Sequence, residues 1–181
     1  MIIAFINKGL ETPAVAVWFD SEDGVTFYDK KIKKEALEEL GFPETELDNE
    51  IGRKHFREIF ENTYFPNHAE DHQLIKTLVV NEYLPDHESL IIDTNAKVPR
   101  VIVWFKKDNS CTFFDQRLKS EIITFGIKIP PFLQSQYGGK IITLASPEYE
   151  TPEHLEKFRR AFQEIYFPNC LERHSFFLAN T

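Results

Sequence analysis

Apolar and polar positions fall into blocks along this chain, and the blocks come round twice. Ile2–Ile6 is a short apolar run, and Leu90–Ile92 matches it. Ala14–Phe19 and Val101–Phe105 follow, each apolar on both faces, as expected for interior strands covered on both sides. Asp20–Gly24 carries the Asp-Gly hairpin signal, and Lys106–Ser110 holds that place the second time. Val25–Tyr28 and Cys111–Phe114 read as the return strands.

The period then changes to helical. Ile32, Ala36, Leu37 and Leu40 share one face, with Asp29 placed to cap the first turn and Gly41 to stop the last. Asp115 opens the corresponding region, which ends at Pro130-Pro131, and Lys140–Ala145 predicts an extra strand. A second helix is predicted from Glu50 to about Tyr64, with Phe56, Ile59, Phe60 and Thr63 at helical spacing. Its counterpart has Thr151 as cap, Pro152 at the first position, and Leu155, Phe158, Phe162 and Ile165 as its stripe. Both are expected to end before Phe-Pro, because a residue preceding proline avoids the helical region. A further helix, or a helix leading into a strand, is expected over His68–Leu84.

The repetition extends to residue identities. Val17-Trp18-Phe19 returns as Val103-Trp104-Phe105 at an offset of 86, and Tyr64-Phe65-Pro66-Asn67 as Tyr166-Phe167-Pro168-Asn169 at an offset of 102. The second copy thus carries 16 extra residues between Leu118 and Phe158. The expected fold class is α+β. A β-β-β-α-α unit of about 90 residues is duplicated as residues 1–88 and 89–181, because a core of that size is marginal alone. The two are expected to pack as one pseudo-twofold domain, with an antiparallel sheet covered by helices.

Composition narrows the functional classes. No run of about 18 apolar residues is present, so no membrane span is expected. Two cysteines make no disulfide framework, and a cytoplasmic location is the default expectation. Net charge is −8, unevenly spread: residues 1–88 hold 19 acidic and 9 basic side chains, residues 89–181 hold 10 and 12. The acidic half repels nucleic acid, which is not an expected partner, and attracts a basic protein surface. Glu44, Glu46, Asp48 and Glu50 form an acidic run without a basic counterpart nearby and are the candidate partner-binding residues.

Two further places carry possible chemistry. His68-Ala69-Glu70-Asp71-His72 and Cys170-Leu171-Glu172-Arg173-His174 each set ligand-capable side chains at i and i+4, one helical turn apart. Brought together, His68, His72, Cys170 and His174 would suit tetrahedral zinc, with Glu70 and Glu172 behind them. Trp18 and Trp104 read as core, and Lys30, Lys31, Lys33 and Lys34, with Lys157, Arg159 and Arg160, as solvated helix faces. No Gly-rich phosphate loop, Gly-x-Ser-x-Gly elbow or His-Glu-x-x-His stands in the sequence. These features favour a non-enzymatic binding protein of inhibitor, immunity or adaptor type that needs no cofactor, as a monomer or homodimer. The alternative is a zinc- or ligand-binding protein or enzyme with its site at the junction of the repeats.

Overall fold

The computed structural model describes residues 1–77, 83–145, 149–170 and 174–179. The chain is mixed α+β and forms two compact units, Met1–Leu78 with Ala96–Arg100, and Val79–Asn95 with Val101–Ala179.

In the first unit, β1 (Ile3–Asn7) lies between β2 (Ala14–Phe19) and β4 (His72–Lys76), and β3 (Val25–Phe27) flanks β2. All pairings are antiparallel, with Phe5 opposite Val17 on one side and Leu74 on the other. The apolar faces of β1 and β2 are buried, as their continuous hydrophobic runs require. Helix α1 (Lys30–Leu40) starts where Asp29 Oδ1 accepts from the Lys31 and Ile32 N–H groups at 2.9 and 3.2 Å, and stops at Gly41, whose φ is +60°. A 3-10 turn (Glu44–Asp48) leads into α2 (Glu50–Ile59), which Asn49 caps.

The second unit orders its strands β10 (His174–Ala179), β5 (Ser89–Asp93), β6 (Arg100–Phe105) and β7 (Cys111–Phe113). Asp115 caps α4 (Gln116–Phe125) as Asp29 caps α1, and Thr151 caps α6 (Pro152–Ala161). The extra residues form β8 (Ile127–Lys128), α5 (Gln134–Tyr137) and β9 (Ile141–Ile142), with β8 and β9 paired. The strand expected over Lys140–Ala145 is therefore two residues long.

Two expectations need correcting. Neither long helix ends before Phe-Pro. In the first unit α2 widens into a π-turn (Phe60–Tyr64) and continues as α3 (Phe65–Asn67), with Pro66 inside it and Phe65 N–H donating to the Phe60 carbonyl five residues back. The second unit repeats the π-turn over Phe162–Tyr166 and runs on into a 3-10 turn (Phe167–Cys170). Proline lacks an N–H and crowds the carbonyl four residues earlier; the wider turn shifts the hydrogen-bond register and relieves both problems. In addition, the helix, or helix leading into a strand, expected over His68–Leu84 is met in its strand part only: turn runs to Asp71 and β4 follows, and β10 likewise closes the second unit. His72–Lys76 pairs with β1 on the side away from β2, and tertiary pairing overrides the i, i+4 spacing.

Each unit has its own aromatic core. Phe60 packs edge-on to Phe5 at 5.0 Å and meets Phe19 at 5.3 Å. In the second unit Phe162 meets Phe105 at 5.3 Å and Tyr166 at 5.1 Å. Trp104 is buried, with its indole N–H donating to Glu88 at 3.0 Å, so it is core as expected. Arg159 departs from the expected solvated face: it is fully buried. No helix among the described residues is long and apolar enough to cross a membrane.

Candidate functional site

The acidic run of the first unit is a fixed, exposed feature. Glu44, Glu46, Asp48 and Glu50 all face solvent along the 3-10 turn and the start of α2. The turn is held from beneath. Gly52 sits so close to the Glu46 carbonyl that a Cβ there would lie 1.9 Å from its oxygen. Asn49 Oδ1 accepts from the Gly52 N–H at 2.8 Å, and Arg53 reaches the Leu47 carbonyl at 3.4 Å. Lys33 of α1 pairs with Glu44, so the run, expected to have no basic counterpart nearby, does have one. Ile51, between Glu50 and Gly52, is 83% exposed and puts an apolar side chain at the edge of the carboxylates.

The proposed metal ligands take up different settings. His68 ends α3, stacks on Tyr64 at 4.1 Å, and has Nε2 2.8 Å from Glu39. His72 opens β4 and stacks flat on Phe5 at 4.4 Å; it is buried, and neither ring nitrogen has a hydrogen-bond partner. Burial holds its imidazole below the ordinary histidine value; the His68 carbonyl opposes this without meeting hydrogen-bond geometry. The Tyr64 hydroxyl is also buried without a partner, and burial, with Glu35, Glu39 and Asp29 adding, pushes its pKa up to about 12. Glu70 lies in the exposed turn before β4. Glu172 lies outside the described residues. Because His72 is a strand residue, the i, i+4 helical geometry expected of His68 and His72 is not formed. Among the described residues no group of three or more His, Cys, Asp or Glu side chains is placed to hold a metal ion.

Cys170 and His174 both line a cavity of about 280 Å³ within the second unit. Cys170, at the end of the 3-10 turn, is buried, and His174 opens β10 directly opposite Asp93 of β5. Opposite residues of an antiparallel pair put their Cβ atoms about 5 Å apart on one face. Asp115, Arg117 and Glu121 complete the charged lining from the cap and first turns of α4. Three carboxylates against one guanidinium leave the cavity acidic. The corresponding first-unit positions carry Asn7, Asp29, His68 and His72, where Asn7 stands opposite His72. No thiol lies there.

Sequence reasoning named Cys170 and His174 but missed Asp93, Arg117 and Glu121, and it treated Asp115 only as a cap. The available signal was the pair of offsets: Asn7 to Asp93 at 86, and His72 to His174 at 102, mark one register kept in both units. No family model, curated protein or solved structure matches the chain.

Proposed function

We propose that this chain is a non-enzymatic binding protein that docks on a protein partner with a basic surface through Glu44, Glu46, Asp48 and Glu50. The observation that carries the reading is the exposed acidic turn locked onto α2 by the Gly52 contact. A preformed surface loses little freedom on binding, so its charges act without an ordering cost. The carboxylates steer a basic partner into place, and Ile51 offers an apolar contact at the rim. This mode of docking suits an inhibitor, an immunity factor or an adaptor. Two diverged copies of one unit are part of the same proposal, supported by the matching registers, caps, π-turns and aromatic contacts of the two units.

The test is a neutral variant, Glu44→Gln with Glu46→Gln, Asp48→Asn and Glu50→Gln. Partner binding should fall at least about tenfold at low salt, and its salt dependence should flatten. Unchanged binding would show that another surface docks.

A second reading, ligand binding, is favoured by the acidic cavity of the second unit. The zinc form of the alternative, with His68, His72, Cys170 and His174 as ligands, draws two of the four from outside that cavity and stands or falls on metal analysis of the purified protein. Less than stoichiometric zinc removes it.

A further inference from the structure

The residues added to the second unit form an exposed surface whose charge is the reverse of the acidic turn's. β8 and β9 pair as a two-stranded ribbon, with Ile127 opposite Ile142 and Lys128 opposite Ile141. Successive side chains of a strand point to opposite faces, so the two pairs lie on different sides of the ribbon. Ile127 and Ile142 are buried in the unit core, which leaves Lys128 and Ile141 side by side on the solvent face. The Ile141 side chain lies against Gly126, the residue after Phe125, and Phe125 is itself 67% exposed. Phe132 is exposed in the 3-10 turn (Pro131–Leu133) that follows β8. Lys140 adjoins the ribbon: its carbonyl accepts from the Ile129 N–H at 2.8 Å, and its side chain is exposed.

The charge of this stretch stands apart from that of the chain. Residues 122–145 contain no Asp or Glu, although the net charge of the whole is −8. Among the described residues neither Lys128 nor Lys140 forms an ion pair. A single apolar side chain in water needs no explanation, but exposed Phe125 and Ile141 beside unpaired lysines form a surface suited to a partner.

We propose that this ribbon receives the acidic turn of a second copy of the chain, so that copies associate head to tail. The inference rests on the docking role given above to Glu44, Glu46, Asp48 and Glu50, and it names their partner. The two surfaces are complementary in charge and alike in their apolar content. The turn offers carboxylates beside exposed Ile51, and among the described residues Glu46, Asp48 and Glu50 form no ion pair. The ribbon offers lysines beside exposed Ile141. Opposite charges around an apolar contact first steer and then hold a protein pair. The net charge of each copy opposes association, but at about 0.1 M salt that repulsion is screened beyond about 10 Å, while groups in contact are screened far less. The turn and the ribbon are different surfaces, so the contact is heterologous: each copy keeps one free half, and copies add in a row or close into a ring.

Sedimentation velocity of the purified chain over a range of concentrations tests this. The average mass of the wild type should rise at least about 1.5-fold above the monomer at about 0.1 M salt and fall back at about 0.5 M. Lys128→Glu with Lys140→Glu should stay monomeric, and so should the four-carboxylate neutral variant. All six positions are exposed, so both variants keep the fold. Mixed in equal amounts, the two variants should form a pair that grows no further, because each retains the half that the other lacks. Association that persists in either variant alone, or a mixture that does not pair, would overturn the proposal. So would a monomeric wild type that instead binds phosphatidylserine vesicles through Lys128 and Lys140, since the ribbon would then face a lipid surface. A monomeric wild type that still captures a basic protein from host extract through the acidic turn would overturn this inference and leave the docking reading intact.

Discussion

Arg159 donates to Asn109 Oδ1 at 3.0 Å, and Asn109 is the left-handed residue, φ +67°, in the turn between β6 and β7. Arg57 pairs with Asp23, which has φ +63° in the turn between β2 and β3. The helix thus reaches the same hairpin position in each unit, with a carboxylate as partner in one and an amide in the other. Arg159 compensates with neutral acceptors: the carbonyls of Lys106 and His87 at 3.1 and 2.8 Å, and Ser89 Oγ at 3.2 Å. Its guanidinium also lies 5.6 Å from the Phe105 ring centroid.

This difference predicts unequal costs. Arg159→Met leaves several buried acceptors unpaired and should lower stability by about 3 kcal/mol. Arg57→Met breaks a partly exposed ion pair and should cost about 1 kcal/mol. Urea denaturation of the two variants checks the order, and equal losses would contradict it.

The buried Tyr64 and His72 make the first unit sensitive at both ends of the pH range. His72 has a lowered pKa in the fold, so the folded state binds fewer protons than the unfolded chain. Stability is therefore intact above the ordinary histidine value of about 6.5 and is lost as pH falls through the lower folded value. His72→Phe keeps the stack on Phe5 and should flatten this acid limb in denaturation midpoints measured from pH 8 to pH 5.

Tyr64 titrates near 12 in the fold. Stability should fall as pH rises from about 10, where the unfolded tyrosine ionises, and go on falling to the folded value. Tyr64→Phe removes a buried hydroxyl that has no partner. It should be neutral or stabilising by about 1 kcal/mol at pH 7 and should remove the alkaline loss. A clear loss of stability at pH 7 would mean that the hydroxyl has a role this account lacks.

Two glycines separate strain from collision. Gly126 has φ +66°, and a Cβ there would stand 2.6 Å from Ile141 Cγ2 and 2.8 Å from the Ile142 carbonyl oxygen. Gly138 has φ +75° with nothing within 4 Å. Gly138→Ala should cost about 1 kcal/mol in backbone strain alone. Gly126→Ala should cost about 3 kcal/mol, because collision adds to strain. Thermal melts of the two variants would show the gap.

What the sequence made legible was local. Asp29, Asp115 and Thr151 cap helices because short polar side chains before helical periods have few other uses, and Gly41 stops α1 as a left-handed residue should. The interior strands were readable from continuous apolar runs. Tertiary context decided the rest. His72 looks helical by spacing but is a strand residue because β4 pairs with β1 on the side away from β2. Pro66 looked like a helix stop and was absorbed by a π-turn, which no propensity scale registers. Arg159 looked solvated because charged residues surround it in sequence, yet five neutral contacts hold it inside. The acidic turn was visible as a charge run, whereas its fixation by Gly52 depends on a backbone approach that only coordinates reveal.

Gly52→Ala is the most direct test of the central claim, because it keeps all four carboxylates while its Cβ collides with the Glu46 carbonyl. Partner capture from host extract at low salt, quantified by mass spectrometry, would be compared for wild type, Gly52→Ala and the four-carboxylate neutral variant. A rigid acidic docking turn predicts one basic partner, released by salt, lost with the neutral variant and weakened several-fold by Gly52→Ala. Capture of that partner at wild-type levels by the neutral variant would contradict the account.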